Sequence, residues 1–126
     1  MRYSLSADPK EGYLHIRVKG ENNPATARRY IKDIIAVCTA EGCPNVLIEE
    51  DLVGPRLGVG DIFAIISEKT EAVRPVIRLM AFVDVNATSP TNMKFGEDVA
   101  VNRGVTVRVF DAVPEAEKWL RKQLAK

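Results

Sequence analysis

The chain has 126 residues, of which 46% are hydrophobic and 28% charged, with a formal net charge of +1. Those figures describe one globular domain spanning residues 1–126, long enough to bury its own core. They exclude the electrostatic footprint of a nucleic-acid binder, and without a run of ~20 apolar residues there is no transmembrane segment.

The opening stretch MRYSLSADPKEG lacks the apolar core of a signal peptide, so the expected location is cytoplasmic. Met1–Asp8 alternates weakly, with Tyr3 and Leu5 on one side, and reads as an edge strand. Asp8-Pro9-Lys10-Glu11-Gly12 is turn chemistry. Tyr13–Lys19 alternates cleanly, with Tyr13, His15, Arg17 and Lys19 on one face and Leu14, Ile16 and Val18 on the other. That is the period-2 pattern of a half-buried strand, and the two strands form an antiparallel hairpin. His15 is the single histidine. Its place beside Arg17 and Lys19 predicts a solvated strand face rather than a proton shuttle or ligand.

Asn23 and Pro24 are a cap followed by a first-turn proline. The helix they start runs to about Glu41, with Ala27, Ile31, Ile34, Ile35 and Cys38 on one stripe and Arg28, Arg29, Lys32 and Asp33 on the other side. Gly42 suits the position just past its end. Cys38 and Cys43 form a lone C-x4-C pair, too little for a disulfide framework or a zinc site, so both are expected as free thiols.

The next stretch, NVLIEEDLVGPRLGVGDIFAIISEKTEA, reads as a buried strand at Val46–Ile48, a glycine-bearing loop, and an apolar helix from near Gly60. In an open α/β sheet, sites lie at the carboxyl ends of strands, which makes Glu49–Gly60 the first candidate surface. Glu49, Glu50 and Asp51 are consecutive, so their side chains alternate between faces and do not converge on a metal. Gly54, Gly58 and Gly60 could expose backbone N–H groups to an anion, with Arg56 assisting. The lysine and hydroxyl of a P-loop are absent, however, and a plain tight connection is the reading taken. Val59, Ile62, Phe63 and Ile66 then share one helical face, widened by Ile65.

Val76–Val85 is nearly all apolar and reads as a central strand. Asp84 near its end joins Glu49 and Asp51 as the only acid–base candidates. Ser89-Pro90 starts a helix to Arg103 bearing Met93, Phe95 and Val99, and Gly104 closes it. Val105–Phe110 is a β-branched strand. Asp111 is expected to cap the last helix, whose stripe is Val113, Ala116, Leu120 and Leu124 with Trp119 alongside.

The order is thus β-β-α-β-α-β-α-β-α, an α/β fold with a mostly parallel sheet of about five strands and one antiparallel edge strand. The strand–helix order, the opening YLHIRVKG, and above all FGEDVAVNRGVTVRVFDAVPEAEKWL resemble the SpoIIAA-like, STAS-related bacterial proteins. The resemblance runs from about Tyr13 to Leu124. It implies a non-enzymatic regulatory or protein-interaction domain that needs no cofactor, with another protein or a second copy, as a homodimer, for partner. STAS domains proper carry a phosphorylated serine or threonine at the start of the second helix. Here Leu52–Asp61 contains neither, and Ser67 and Thr70 are poor substitutes, so the switch is not carried over. Related Sec14-type domains bind lipids, which implies as an alternative a small apolar ligand held between the Gly60–Lys69 helix, the Ser89–Arg103 helix and the sheet. The interaction or ligand surface expected on either reading is Gly54, Pro55, Arg56, Leu57, Gly58, Ile62, Phe63, Ile66 and Met93.

Overall fold

A computed structural model describes residues 3–88 and 90–126. Its elements are β1 (Tyr3–Pro9), β2 (Leu14–Glu21), α1 (Pro24–Glu41), β3 (Asn45–Val53), α2 (Val59–Val73), β4 (Leu79–Asp84), α3 (Pro90–Asn102), β5 (Val107–Phe110) and α4 (Val113–Leu124). The expected order is the observed one. The expected cap Ser89, and Met1 at the head of the first strand, lie outside the described residues.

The sheet runs β1-β2-β3-β4-β5, with β1 antiparallel to β2 and the remaining neighbours parallel. Parallel strands that step one way across a sheet put their crossover helices on one face when every crossover has the same hand. Here α1, α2 and α3 cover one face and α4 alone covers the other. Two hydrophobic clusters result. Ile16, Val18, Ile34, Val46, Ile48, Leu52 and Ile65 belong to the three-helix side. Tyr13, Leu47, Ala81, Val83, Ala116 and Leu120 belong to the α4 side.

Local chemistry sets the element ends. The side chain of Asn23 accepts from the Thr26 N–H at 2.8 Å, and Pro24 occupies the first turn of α1. Gly42 ends α1 at φ +63°, a left-handed conformation that a side chain would strain. At the other terminus the expectation fails. Asp111 does not cap α4: the capping position is Ala112, with no side-chain hydrogen bond to the helix. Val113-Pro114 starts this helix on proline geometry alone.

Three further expectations are corrected. Strand β3 does not stop at its acids but continues through Glu49, Glu50 and Asp51 to Val53. His15 is not on a solvated face: it is 4% exposed and bonds Glu49 Oε1 at 2.8 Å through Nε2. Register is the reason. His15 and Glu49 lie on adjacent parallel strands on the α4 side of the sheet, where Arg17 reaches the same Glu49 oxygen at 3.4 Å and Asp8 at 3.1 Å. Tyr13, also assigned to the polar face, is buried there and donates to Glu117 of α4 at 3.1 Å.

Candidate functional site: an apolar cleft with a buried acid

Met80 and Phe82 on β4 and Val107 and Val109 on β5 face the three-helix side, yet all four stay half-exposed. β4 is an interior strand, which normally loses such exposure to the helices above it, whereas β5 is the sheet edge. Here the helices stand apart and leave a partly open cleft of about 220 Å³. An apolar cavity of ~150 Å³ already takes benzene.

The sequence of α3 explains the gap. Gly96 and Ala100 lie where α3 turns toward the sheet, and both line the cleft. A Cβ on Gly96 would meet Ile62 Cγ2 at 3.3 Å and Ile66 Cδ1 at 3.6 Å, so α2 and α3 touch at this glycine. The two helices close the outer wall there, and Ala100, one turn further on, presents only a methyl group to the cleft. Ala27, Tyr30, Ile31 and Ile34 of α1 form the opposite wall, and Ile48 of β3 joins the floor.

One end of this apolar space is polar. Glu50 and Asp84 are register partners on β3 and β4, so both side chains face the cleft from the carboxyl end of the sheet. Asp84 is held by Arg56, whose Nη1 donates to Oδ1 at 3.0 Å and to Oδ2 at 3.1 Å. Nη2 of the same guanidinium donates to the Leu52 carbonyl at 2.6 Å and the Gly54 carbonyl at 3.0 Å. Asn86 completes the layer: its backbone N–H donates to Asp84 Oδ1 at 2.9 Å and its side chain to Asp51 at 2.8 Å.

Glu50 has a different environment. It is 8% exposed, and Oε2 accepts a hydrogen bond from the buried Tyr30 hydroxyl. Burial pushes its carboxyl up to about 7, with the Tyr30 bond opposing, the Asp84 charge adding and Arg56 opposing. Burial also holds the Tyr30 phenol well above its ordinary value, with the Glu50 charge adding to it, so Tyr30 stays protonated and donating.

The expected site residues divide by place. Leu57, Ile62, Ile66 and Met93 line the cleft, and Arg56 lies at its polar end. Gly54 and Pro55 are exposed on the connecting loop, and Gly58 precedes α2 as its capping residue. Phe63, 47% exposed, lies outside the cleft under the Arg103 guanidinium at 5.0 Å. Val59, expected on the same stripe, is exposed too, and Ile65 is the residue buried deepest on that helix. Arg56 is turned inward and committed to Asp84, so it does not serve an anion at the glycine loop. Of the three acid–base candidates only Asp84 faces the cleft, while Glu49 and Asp51 project from the opposite face of the sheet. Among the described residues no group of histidine, cysteine or acids is placed to hold a metal, and no helix is long and apolar enough to cross a membrane. Thr70 is buried and donates to the Ile66 carbonyl at 2.6 Å, and Ser67 Oγ is buried as well; neither hydroxyl sits at the start of α2.

Sequence reasoning missed Tyr30 and Glu50. Tyr30 falls three residues past Ala27 and four before Ile34 on the inward stripe of α1, which is the signal that could have found it. Glu50 follows Val46 and Ile48 at the strand's period of two, so it points to the same side as they do.

No family model matches the chain, and no curated protein matches it. Among solved structures it is similar to the anti-sigma factor antagonist SpoIIAA in its unphosphorylated form, with a TM-score of 0.51 and 14% identity over 97% of this chain and 98% of that one. At that identity the likeness is one of fold, and it is the fold implied by the sequence resemblance.

Proposed function

We propose that this is a non-enzymatic binding domain whose cleft, enclosed by α1, α2, α3 and the sheet, takes a small apolar or amphipathic ligand. The observation that carries the reading is the half-exposed apolar floor of Met80, Phe82, Val107 and Val109 beneath about 220 Å³ of space. Apolar surface left open on β4 and the edge strand β5 is costly in water, and a ligand of matching size removes that cost. Binding is favoured over catalysis because Arg56 and Asp84 are tied to each other and to backbone groups, and the Tyr30 hydroxyl is engaged by Glu50.

A second reading, a regulatory protein-interaction domain, has its own support. The fold is shared with an anti-sigma factor antagonist, and Val53, Val59 and Phe63 expose apolar side chains around the loop that joins β3 to α2.

Native mass spectrometry of the freshly purified protein distinguishes the two, since it reads subunit number and bound mass together. A defined additional mass of a few hundred daltons or less, lost on substituting Ala100→Phe into the cleft, supports the ligand reading. An empty protein whose cleft stays unoccupied by added small apolar compounds refutes it and leaves the interaction surface as the function to pursue.

A further inference from the structure

The polar end of the cleft specifies a head group, and this step rests on reading the cleft as a ligand site. We propose that the ligand is a small amphiphile with a protonated amine head, seated against the free oxygen of Glu50 with its apolar body along Met80 and Phe82.

The two oxygens of the Glu50 carboxyl are not equivalent. Oε2 accepts from Tyr30, whereas Oε1 has no hydrogen-bond partner among the described residues. Ser67 Oγ, and not this oxygen, is the buried side-chain atom without a partner among the described residues, so Oε1 is open to the cleft, and a ligand that displaces water from it must supply a donor in return. The charges around the carboxylate do not cancel it. Arg56 faces the same end of the cleft but is spent on both Asp84 oxygens and on the carbonyls of Leu52 and Gly54. Glu97 of α3 accepts from the Val109 backbone at 2.9 Å and pairs with Lys94. Lys69 of α2 also lines the cleft but is half-exposed, so its ammonium keeps its water. Glu50 is left as the uncompensated charge.

Three heads can be weighed against that arrangement. A carboxylate or phosphate meets Glu50 and Asp84 and finds no free guanidinium. A hydroxyl can donate to Oε1 but leaves the charge unbalanced. An ammonium donates to Oε1 and balances the charge in one group, the stronger of the two pairings in a desolvated site. Size follows from the space. If ~150 Å³ holds the six carbons of benzene, about 220 Å³ holds on the order of nine heavy atoms by proportion.

Protonation supplies a second signature. With its carboxyl at about 7, Glu50 is largely ionised at pH 8 and largely neutral at pH 6. Tyr30 on α1, Asp84 on β4 and Arg56 on the β3–α2 loop are the titratable or charged groups that face it, and Tyr30 stays protonated throughout. The amine binds the ionised form, so lowering the pH from 8 to 6 should weaken it about tenfold, the ratio of the ionised fractions.

The test is calorimetric titration of the whole chain with n-octylamine, n-octanol and octanoate at pH 8 and pH 6, repeated with Glu50→Gln. Octylamine should bind most tightly at pH 8 and about tenfold more weakly at pH 6, octanol should be indifferent to pH, and octanoate should be weakest. Glu50→Gln should erase the advantage of octylamine over octanol while octanol still binds. Octanoate binding as tightly as octylamine, or an octylamine preference that survives Glu50→Gln, overturns the amine assignment and leaves the cleft a ligand site. Failure of all three compounds to bind overturns the assignment together with the cleft reading beneath it.

Discussion

Glu50 should make this protein less stable as the pH rises, and Glu50→Gln should remove the effect. The carboxyl titrates near its ordinary 4.5 when unfolded and is held at about 7 in the folded chain. At ~1.4 kcal/mol per pH unit, that gap corresponds to about 3 kcal/mol. The sign follows from which state binds the proton more tightly, and here it is the folded one. Its contribution is therefore fully present below about pH 4.5 and is lost as the pH rises through about 7. Between pH 5 and pH 8 the loss is roughly 2 to 3 kcal/mol, because the unfolded group is already partly ionised at the lower value. Glutamine keeps an acceptor for Tyr30 and carries no charge, so the variant should match the wild type near pH 5 and exceed it by most of that amount at pH 8. In urea, with a slope of ~2 kcal/mol per molar, the difference is a midpoint shift of about 1 M or more. Taking variant minus wild type at each pH cancels the titration of groups that do not interact with Glu50, and Tyr30, which does, stays protonated across this range. A midpoint difference that is the same at pH 5 and pH 8 would refute the claim that burial has raised this carboxyl.

Other expectations follow from individual contacts. Arg56→Ala leaves Asp84 buried beside Glu50 without its cation, and with side chains only 13% and 10% exposed the loss should be about 3–5 kcal/mol; thermal unfolding showing less than ~1 kcal/mol would mean that water reaches the pair. Asn23→Ala removes the bond to the Thr26 N–H and should cost about 1 kcal/mol, read from chemical denaturation; a neutral result would show that Pro24 alone suffices to start α1. Cys38 is 2% exposed, and burial pushes its thiol up to about 11, so native protein at pH 8 should alkylate at the half-buried Cys43 and at Cys38 only after unfolding. Peptide mapping that finds Cys38 modified at a similar rate in the native state would contradict that burial.

The fold was legible because its signals are local. Asn23-Pro24 and Gly42 bracket α1 by capping chemistry, the β-branched run before Phe110 marks β5, and the spacing of Val113, Ala116 and Leu120 orients α4. The cleft was not legible in the same way. Its shape depends on how Gly96 and Ala100 of α3, Ile62 and Ile66 of α2 and Met80 and Phe82 of β4 come together around it, a coincidence of residues on separate elements that no single window contains. The acids show the same limit. That Glu49, Glu50 and Asp51 point to alternate faces follows from strand geometry, but which face receives three helices and which receives α4 alone, with His15 and Arg17, follows from the direction of the crossovers. His15 was misread for that reason, since its neighbours in sequence are charged while its neighbour across the sheet, Glu49, is what shields it. Asp111 was misread because a residue type suited to capping was one position too early.

The two hydrophobic clusters on opposite faces of the sheet divide the labour of the molecule. Under α4, the close contact of Ala81 and Val83 with Ala116 and Leu120 keeps β3 and β4 in register without reference to the cleft. Substitutions at Ile62, Ile66, Met93 or Gly96 on the other face can therefore alter the shape and chemistry of the cleft while the α4 layer continues to hold the strands. A chain built in this way can acquire a new ligand preference in a few steps at those four positions, because the α4 layer on the other side of the sheet does not depend on them.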